Sequence, residues 1–470
     1  MAETATLVTT PPAPAAEPRP AAVAPPLPAP DDTFLLDDTL APWQIQQASA
    51  GQQAALAEAE ELVRGCRWPD LLALFHPVEE KVPELVAAGL DAELRLKVAF
   101  ALGQSGRFPE ALATLRLAVA RLPDSFLGHS SLAFTACQYI RSCRTGKVAL
   151  APATRQELVA EAHRHFGRCQ ALRPETVTGF YRQGILFQEI ERKSRLAIPL
   201  FERARANWLA LSEKARQERH QERPKFRKSL YHLAVCLAED HRLPRAQALL
   251  EELLAEDPAG ETVGLLFTHF GLAKIHLAAG RPAKAREHCQ VAVAAAAPDQ
   301  AIDFVWELCA RACLALGEAD AGLVAIGRVP ERARRPYVRW TEGDCLAALG
   351  RPEEAERLWR QAAERDRRSR HRPLLRLARL HLGRGRLTEA LAEAEAAERF
   401  CQETYGNPSL EAMFWRAACL FRLGRLAEAA AIVAELERRH LHYPHLGRLA
   451  ERIRQGLESG GDGHGPRPPG

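Results

Sequence analysis

Apolar residues recur along most of the chain with the spacing of one face of an α-helix. From about Gln52 to Leu457 they fall at i, i+3, i+4 and i+7, and no stretch alternates long enough to predict a strand. Pairs of glycine and arginine interrupt the pattern, and their glycines are Gly106, Gly280, Gly350, Gly385 and Gly424. These breaks lie in units of about 34 to 39 residues, a period that indicates internal repeats. The pattern therefore predicts an all-α chain built from repeated helices.

Small residues stand at fixed distances from these glycines. The position seven residues before the glycine holds Ala99, Ala273, Gly343, Ala378 and Ala417, and the position five residues after it holds Ala111, Ala285, Ala355, Ala390 and Ala429. A sixth copy has His241 at the glycine position. Small side chains let two antiparallel helices approach closely, and glycine tolerates a left-handed turn between them. Each hairpin still has an apolar face to bury, which favours stacking of successive hairpins.

This pattern resembles the tetratricopeptide repeat family over most of residues 52–457. The resemblance implies an α-solenoid of about nine to ten helical hairpins. Some copies are irregular: residues 137–155 interrupt the turn of the copy at Ala133, the copy at Gly184 has a second helix extending to about His220, and the copy at Trp306 has a short second helix ending near Pro330. We expect the first unit, around Trp68 and Phe75, and the helix at 445–457 to cap the stack.

The two ends of the chain differ in composition from the repeats. We expect residues 1–45 to form a disordered Pro/Ala-rich tail, residues 46–458 the solenoid, and residues 459–470 a disordered Gly/Pro-rich tail. Within the first tail, residues 31–43 combine four Asp with apolar residues that include Phe34 and Trp43. One hypothesis is that this acidic, apolar segment docks on the chain's own repeats.

Composition limits the class of protein. Of 470 residues, 47% are hydrophobic and 26% charged, so the chain can bury a large core and is not disordered throughout. The formal net charge of +4 does not indicate a nucleic-acid or membrane protein. No run of about 18 apolar residues predicts a membrane span. Eleven cysteines without a CxxC pair indicate reduced thiols, and we expect a cytoplasmic protein.

The sequence contains no motif for catalysis or cofactor binding. GxxxxGK[ST], HExxH and GxSxG are all missing, and residues 145–147 lack the upstream glycine and strand of a phosphate loop. Cys309 and Cys313 share a helix face, and Cys289 follows a histidine, but all three cysteines stand at inward repeat positions. We therefore expect these cysteines to pack in the core, and we expect no metal, no other cofactor and no enzymatic activity.

The resemblance also implies where a partner binds. In tetratricopeptide arrays the first helices of successive hairpins line a groove for partner peptides, and the positions ten and six residues before the turn glycine face it. With one nearby tyrosine, the candidate groove residues are Tyr231, Phe270, Lys274, Arg311, Tyr337, Trp340, Arg379 and Phe414. Aromatic rings beside cations suit a peptide with apolar anchors and acidic groups. An alternative is that several of these aromatics only pack between hairpins.

The resemblance does not extend to one known type of site. Some family members clamp a C-terminal carboxylate with Lys and Asn at these positions. Here Val235 and Asp344 stand at two of them. The sequence therefore does not predict binding of a chaperone tail.

Three hypotheses for function remain. The first is a non-enzymatic scaffold that binds a protein or peptide partner in the groove. The second is an accessory subunit that contacts nucleic acid through basic helices at 189–228, where twelve Lys and Arg stand against six Glu. Interleaved acids and bases, as at 213–219, instead favour a solvated helix with i, i+4 ion pairs. The third, an enzyme site in residues 137–155, has no residue pattern in its favour.

Overall fold

All regular secondary structure in the described part of the chain is helical. The structure is a computed structural model that describes residues 49–144, 149–439, 443 and 445–461. Its helices fall into two compact units, which divide between Thr268 and His269. Each unit is a stack of helical hairpins, and the described residues form nine regular hairpins and one irregular one. The predicted fold class, an α-solenoid of about nine to ten hairpins, is confirmed.

The described residues of the first unit form thirteen α-helices. They are α1 (Ala50–Arg64), α2 (Trp68–Phe75), α3 (Val78–Lys81), α4 (Pro83–Ala87), α5 (Ala92–Gln104), α6 (Phe108–Arg121), α7 (Phe126–Arg144), α8 (Pro152–Leu172), α9 (Val177–Ile185), α10 (Ser194–Ala210), α11 (Glu213–Glu218), α12 (Arg223–Glu239) and α13 (Leu243–Glu256). The regular hairpins are α5/α6, α7/α8, α9/α10 and α12/α13. The irregular first pair, α1/α2, is followed by two short helices.

Eleven further α-helices follow in the described part of the chain. They are α14 (Leu265–Ala278), α15 (Pro282–Ala294), α16 (Asp303–Ala315), α17 (Ala319–Gly327), α18 (Pro336–Ala348), α19 (Pro352–Arg365), α20 (His371–Gly383), α21 (Leu387–Tyr405), α22 (Leu410–Arg422), α23 (Leu426–Arg439) and α24 (Leu446–Gly461). The second unit begins at His269, inside α14. Its hairpins are α14/α15, α16/α17, α18/α19, α20/α21 and α22/α23. Helix α24 packs on α23, at the place predicted for a final cap helix.

The six turn residues predicted from the sequence register all have a left-handed conformation. The backbone angle φ is +74° at Gly106 and +60° at His241, the residue expected to replace glycine. After Gly106 the chain closes two hydrogen bonds back onto α5, from Gly106 N to Gly103 O (3.0 Å) and from Arg107 N to Leu102 O (2.9 Å). This pair of bonds satisfies carbonyl groups that the end of a helix leaves without partners.

The arginine that follows the turn glycine holds the start of the second helix. Arg107 donates to both oxygens of Glu110, at 2.7 and 2.6 Å, in the first turn of α6. Arg351 with Glu354 and Arg425 with Glu428 repeat this contact in the second unit. In these three hairpins the Gly-Arg pair therefore marks a turn residue and the residue that pairs with the next helix.

The small residues predicted at the helix crossings are buried. Ala99, Ala111, Ala273 and Ala285 are each 0% exposed. In hairpin α18/α19 the position is glycine because its neighbour is large: a Cβ on Gly343 would lie 2.5 Å from Trp359 Nε1. The combined size of the two side chains at each crossing therefore sets how closely the two helices approach.

One hairpin departs from the regular offset because its first helix contains an extra residue. A π-helix at Leu186–Ile190 continues α9, and the left-handed turn residue is Arg192, with φ +61°. Gly184 therefore lies eight residues before the turn instead of seven. The later positions, Ala197 and Phe201, keep their regular distances from Arg192. A wide turn of the helix thus absorbs one inserted residue without disturbing the hairpin.

The irregular copies differ from expectation in detail. Residues 137–155 mostly lengthen helices α7 and α8, which have 19 and 21 residues. The predicted extension of one helix to about His220 is wrong: α10 ends at Ala210, and Ser212 caps a separate helix, α11. The short second helix ending near Pro330 is confirmed, since α17 ends at Gly327.

Most residues of the two predicted tails lie outside the described part of the chain. Residues 1–48 and 462–470 are not among the described residues, so the acidic, apolar segment 31–43 and the predicted disorder of both tails stay predictions. Helix α24 continues to Gly461, three residues into the predicted C-terminal tail.

Substituting alanine at two neighbouring glycines tests the left-handed turn. Gly106→Ala should lower the free energy of unfolding by about 1 kcal/mol, because a Cβ disfavours positive φ even where space is open. Gly103→Ala, in the same hairpin and also with open space, should be neutral or stabilising by up to about 1 kcal/mol. Urea unfolding of both variants measures the difference, and equal effects would contradict the turn geometry.

A histidine is buried among aromatic rings in the first unit. His232 of α12 is 4% exposed, and its Nδ1 donates to Gln188 Oε1 at 2.8 Å. Three rings have centroids within 6.1 Å of its own, those of Tyr181, Phe201 and Tyr231. Burial lowers the pKa of His232 to about 4, because an imidazolium there would lose its hydration.

This histidine should make stability depend on pH. The unfolded chain protonates it near its ordinary pKa of about 6.5, but the folded chain resists protonation, so stability is fully present above pH 6.5 and falls as the pH drops toward about 4. His232 alone accounts for up to about 3 kcal/mol. His232→Asn, which keeps a donor toward Gln188, should flatten the fall measured by urea unfolding. The same substitution at exposed His220 is the control, and an unchanged slope in His232→Asn would contradict the account.

Candidate functional site

The first helices of the second unit carry a row of aromatic and charged side chains. We define the first-helix face as the following residues of α14, α16, α18, α20 and α22: Phe270, Lys274, Phe304, Glu307, Arg311, Tyr337, Trp340, Asp344, Arg376, Arg379, Phe414 and Trp415. These side chains make contacts from one first helix to the next. Most of them are half-buried, so they keep surface that packing within the unit does not cover.

At one end of the face, two phenylalanines pack between α14 and α16. The rings of Phe270 and Phe304 meet edge to face with centroids 4.8 Å apart. Lys274 Nζ lies 5.7 Å from the centroid of Phe270, one helical turn away. Phe304 is buried and Phe270 is half-buried, so Phe270 joins the core packing and also presents surface beside a cation.

Hydrogen bonds join α16 to α18. Tyr337 donates its hydroxyl hydrogen to Asp303, and burial together with this bond raises the pKa of Tyr337 above its usual range. Thr341 donates to Glu307 Oε1 at 2.8 Å. Arg311 approaches the same Glu307 oxygen with its Nε at 3.9 Å, a long ion pair. The acidic groups of α16 are therefore engaged by neighbouring donors.

A tryptophan and an arginine join α18 to α20. Trp340 accepts a hydrogen bond at its backbone oxygen from Trp359 Nε1 (3.0 Å). The guanidinium of Arg376 lies 5.4 Å from the Trp340 ring centroid and binds both oxygens of Asp344, at 2.6 and 2.7 Å. Burial works to lower the pKa of Arg376, but the charge and hydrogen bonds of Asp344 outweigh it and raise the pKa.

A second tryptophan and arginine join α20 to α22. The guanidinium of Arg379 lies 5.3 Å from the ring centroid of Trp415. Phe414 packs against Trp415 and against Tyr443, each with centroids 5.4 Å apart. Burial lowers the pKa of Arg379, in contrast to that of Arg376. The face thus alternates rings and cations over successive hairpins.

The structure brings together seven of the eight candidate groove residues. Phe270, Lys274, Arg311, Tyr337, Trp340, Arg379 and Phe414 are all on the first-helix face. Tyr231 belongs to the first unit and is 6% exposed, and burial raises its pKa to about 12. Tyr231 therefore has little side-chain surface for a partner, whereas the other seven residues keep more.

Sequence reasoning missed two members of this face, Arg376 and Trp415. Both stand nine residues before the turn glycine, next to the position that was selected. A helix turns by about 100° per residue, so one face takes in neighbouring positions as well as those a turn apart. The sequence carried one signal: the position ten residues before Gly385 holds an aliphatic residue, Leu375, which the structure shows to be 3% exposed.

The cations at 189–228 are largely occupied by contacts within the first unit. Seven of the twelve lie within 4.0 Å of a carboxylate oxygen: Lys193, Arg195, Arg205, Lys214, Arg219, Arg223 and Arg227. Two more, Lys225 and Lys228, are at most 8% exposed. The expected interleaved i, i+4 pairs are mostly replaced by pairs between helices, such as Arg205 with Glu252.

A metal centre or a membrane-spanning helix would require a particular arrangement of the described residues. Among them, no three His, Cys, Asp or Glu side chains are placed to hold a metal ion. Cys289 and Cys313 are 0% and 3% exposed. None of the described helices is both long and apolar enough to cross a bilayer.

Comparison with known proteins identifies the repeats. A model of the tetratricopeptide repeat family matches residues 269–301 and 341–405, and a second model of the same repeat matches residues 410–435. The matched residues include most of hairpin α14/α15, all of α20/α21 and most of α22/α23. The matched residues of the second unit are tetratricopeptide repeats. The matched repeats carry most of the first-helix face, including Phe270, Asp344 and Arg379.

Solved structures of similar architecture share little sequence with this repeat protein. PilW, a type IV pilus biogenesis factor, is 15% identical with a TM-score of 0.39, and the alignment covers 57% of this chain and 97% of PilW. A tetratricopeptide repeat protein from Parabacteroides merdae is 13% identical (TM-score 0.41; 58% and 93% covered). Yeast Tom70 is 11% identical (TM-score 0.41; 87% and 96% covered). Comparison with curated proteins finds no match.

Substituting Gly343 tests the packing that supports Trp340. Gly343→Ala should lower the free energy of unfolding by about 1 to 3 kcal/mol, because the new Cβ would lie 2.5 Å from Trp359 Nε1 and displace the indole. Gly327→Ala, where a Cβ meets nothing within 4 Å, is the matched control and should change stability by less than about 1 kcal/mol. Urea unfolding measures both, and a neutral Gly343→Ala would show that the crossing is looser than described.

Proposed function

We propose that this protein is a non-enzymatic scaffold that binds a partner protein through the first-helix face of its second unit. The partner presents a segment with apolar anchors and acidic groups. The observation that supports this most is the alternation of half-buried rings and cations from Phe270 and Lys274 to Arg379 and Trp415. Aromatic and arginine side chains of this kind supply much of the binding energy at protein interfaces.

Partner binding accounts for the residues of the first-helix face better than catalysis does. The acidic groups on and beside the face are engaged by donors, as Asp303 is by Tyr337 and Asp344 is by Arg376, which leaves no carboxylate and base aimed at a common point. Tetratricopeptide repeats are typically scaffolds, and the rings on this face offer contact area instead of a reactive group. We therefore assign binding, and not catalysis, to this face.

The nucleic-acid hypothesis has less support. Most of the cations at 189–228 form ion pairs with carboxylates, such as those of Glu252 and Asp257. A phosphate backbone would have to compete with these ion pairs. The rings of Phe201, Trp208 and Phe226 in this stretch are at most 3% exposed and offer a base no surface for stacking.

The cysteines support a reducing compartment. All eleven are unpaired, and most of them are buried in the described helices. Proteins of oxidising compartments commonly use cysteines in disulfides. We therefore propose a cytoplasmic location for the protein.

Capture experiments with the full chain test the proposed function. The variant Phe270→Ala, Trp340→Ala, Arg311→Ala should lose at least about tenfold of the binding shown by the unchanged chain, because it removes two rings and one cation of the face. Val291→Ala with Val324→Ala, on second helices and 43% and 65% exposed, is the control. Quantitative mass spectrometry compares the proteins captured by the three chains, after circular dichroism has shown equal helicity. A synthetic peptide of residues 31–43 is a direct probe of the same face.

Two results would contradict the proposal. One is capture of the same proteins, in the same amounts, by all three chains. The other is salt-sensitive binding of a short DNA duplex that is unchanged in the face variant and lost when Lys214 and Arg216 are changed to Glu. That second result would favour the nucleic-acid hypothesis.

A further inference from the structure

Two arginines of α20 lie between two tryptophans of the neighbouring first helices. Arg376 and Arg379 are three residues apart and therefore lie on the same side of the helix. Arg376 is over the Trp340 ring of α18 at 5.4 Å, and Arg379 is over the Trp415 ring of α22 at 5.3 Å. The order across the face is indole, guanidinium, guanidinium, indole. Each guanidinium thus has an aromatic ring as a fixed neighbour.

The two guanidinium groups differ in what else they bind. Arg376 donates two hydrogen bonds to Asp344 and one to the backbone oxygen of Arg372 at 3.2 Å. In the described part of the chain, Arg379 has no carboxylate oxygen within 4.0 Å and donates no hydrogen bond. Arg376 is therefore already neutralised within the fold, whereas Arg379 keeps its donors.

The surroundings of Arg379 favour an added anion. Burial lowers the pKa of this guanidinium, and the nearby charge of Arg376 acts in the same direction, while Glu411 acts against it from beyond ion-pair distance. A partly desolvated cation without an ion-pair partner carries an unrecovered hydration cost. A carboxylate that accepts two hydrogen bonds from the guanidinium fork recovers that cost with specific geometry.

We propose that Arg379 binds the side-chain carboxylate of one Asp or Glu in the partner segment, with a neighbouring apolar residue of that segment on Trp415 and Phe414. This inference rests on the proposed function, and it adds which residue binds the acidic group of the partner. Arg376 does not bind this carboxylate, because its guanidinium group is already bound to both oxygens of Asp344. The site thus selects an acidic residue beside an apolar one.

The charges around this site favour a single carboxylate over a polyanion. Glu307, Asp344 and Glu411 are all on or beside the same face, and each would repel a second negative group placed near it. A nucleic-acid backbone carries a charge at every phosphate and would meet these acids. A single carboxylate meets this repulsion only once, and two hydrogen bonds from Arg379 can offset it. The occupant is therefore an acidic peptide segment.

Selection from a library of random peptides tests the inference without a known partner. The full chain is the bait, and the selected peptides should be enriched in Asp or Glu next to an aromatic or aliphatic residue. The same selection with Arg379→Gln should recover peptides without this acidic enrichment. Arg357→Gln, a 75% exposed arginine of α19, is the control and should keep the enrichment.

A double-mutant cycle on one selected peptide measures the contact itself. Replacing its acidic residue by the matching amide should weaken binding to the unchanged chain roughly tenfold, and should have little effect on Arg379→Gln. Arg379→Lys, which keeps the charge, should recover part of the affinity. Circular dichroism confirms that each variant keeps its helicity.

The outcomes separate this inference from the proposed function. Acidic enrichment that depends on Arg379, with a coupled cycle, supports the inference. Selected peptides that need Phe270 and Trp340 but show no acidic preference overturn it and leave the proposed function standing. Selected peptides that bind equally well after Phe270→Ala, Trp340→Ala, Arg311→Ala overturn both.

Discussion

The close crossing of two helices at small residues is the constraint on which each hairpin depends. Alanine or glycine stands where the helices cross, and the left-handed turn at residues such as Gly106 and His241 sets the direction of the second helix. Where one side chain is large, as at Trp359, its partner Gly343 has none. Because this crossing fixes which side of the first helix faces its partner, it also fixes which side is left for other contacts.

The first-helix face follows from that geometry. The side of each first helix that is turned away from its partner meets the next first helix, as the contact between Arg379 and Trp415 illustrates. Rings and ion pairs fill part of this space and leave the remainder half-exposed. The same groups therefore stabilise the second unit and offer contact area to a partner, which is a common way for repeat proteins to combine stability with binding.

The regular repeats were predictable from sequence because small residues, turn glycines and apolar positions agree on one period. The turn at His241 was predictable from its register alone. The π-helix before Arg192 was not, because an inserted residue leaves no mark on composition. The candidate site was predictable by position for Trp340 and Arg379, but Tyr231 is buried, and the pairing of Arg376 with Asp344 depends on side-chain directions across two helices. Sequence periodicity determines which side of a helix a residue is on, but it does not determine which neighbouring group forms an ion pair with that residue.

The most direct test of the account is to locate a bound peptide on the folded chain. A photoreactive phenylalanine derivative is placed at Phe414, on the first-helix face, or at Val324, which is 65% exposed on a second helix. Crosslinking to a peptide selected by the full chain is then quantified by mass spectrometry. The account predicts strong crosslinking from position 414 and little from position 324. Crosslinking mainly from position 324 would show that the partner binds elsewhere and would contradict it.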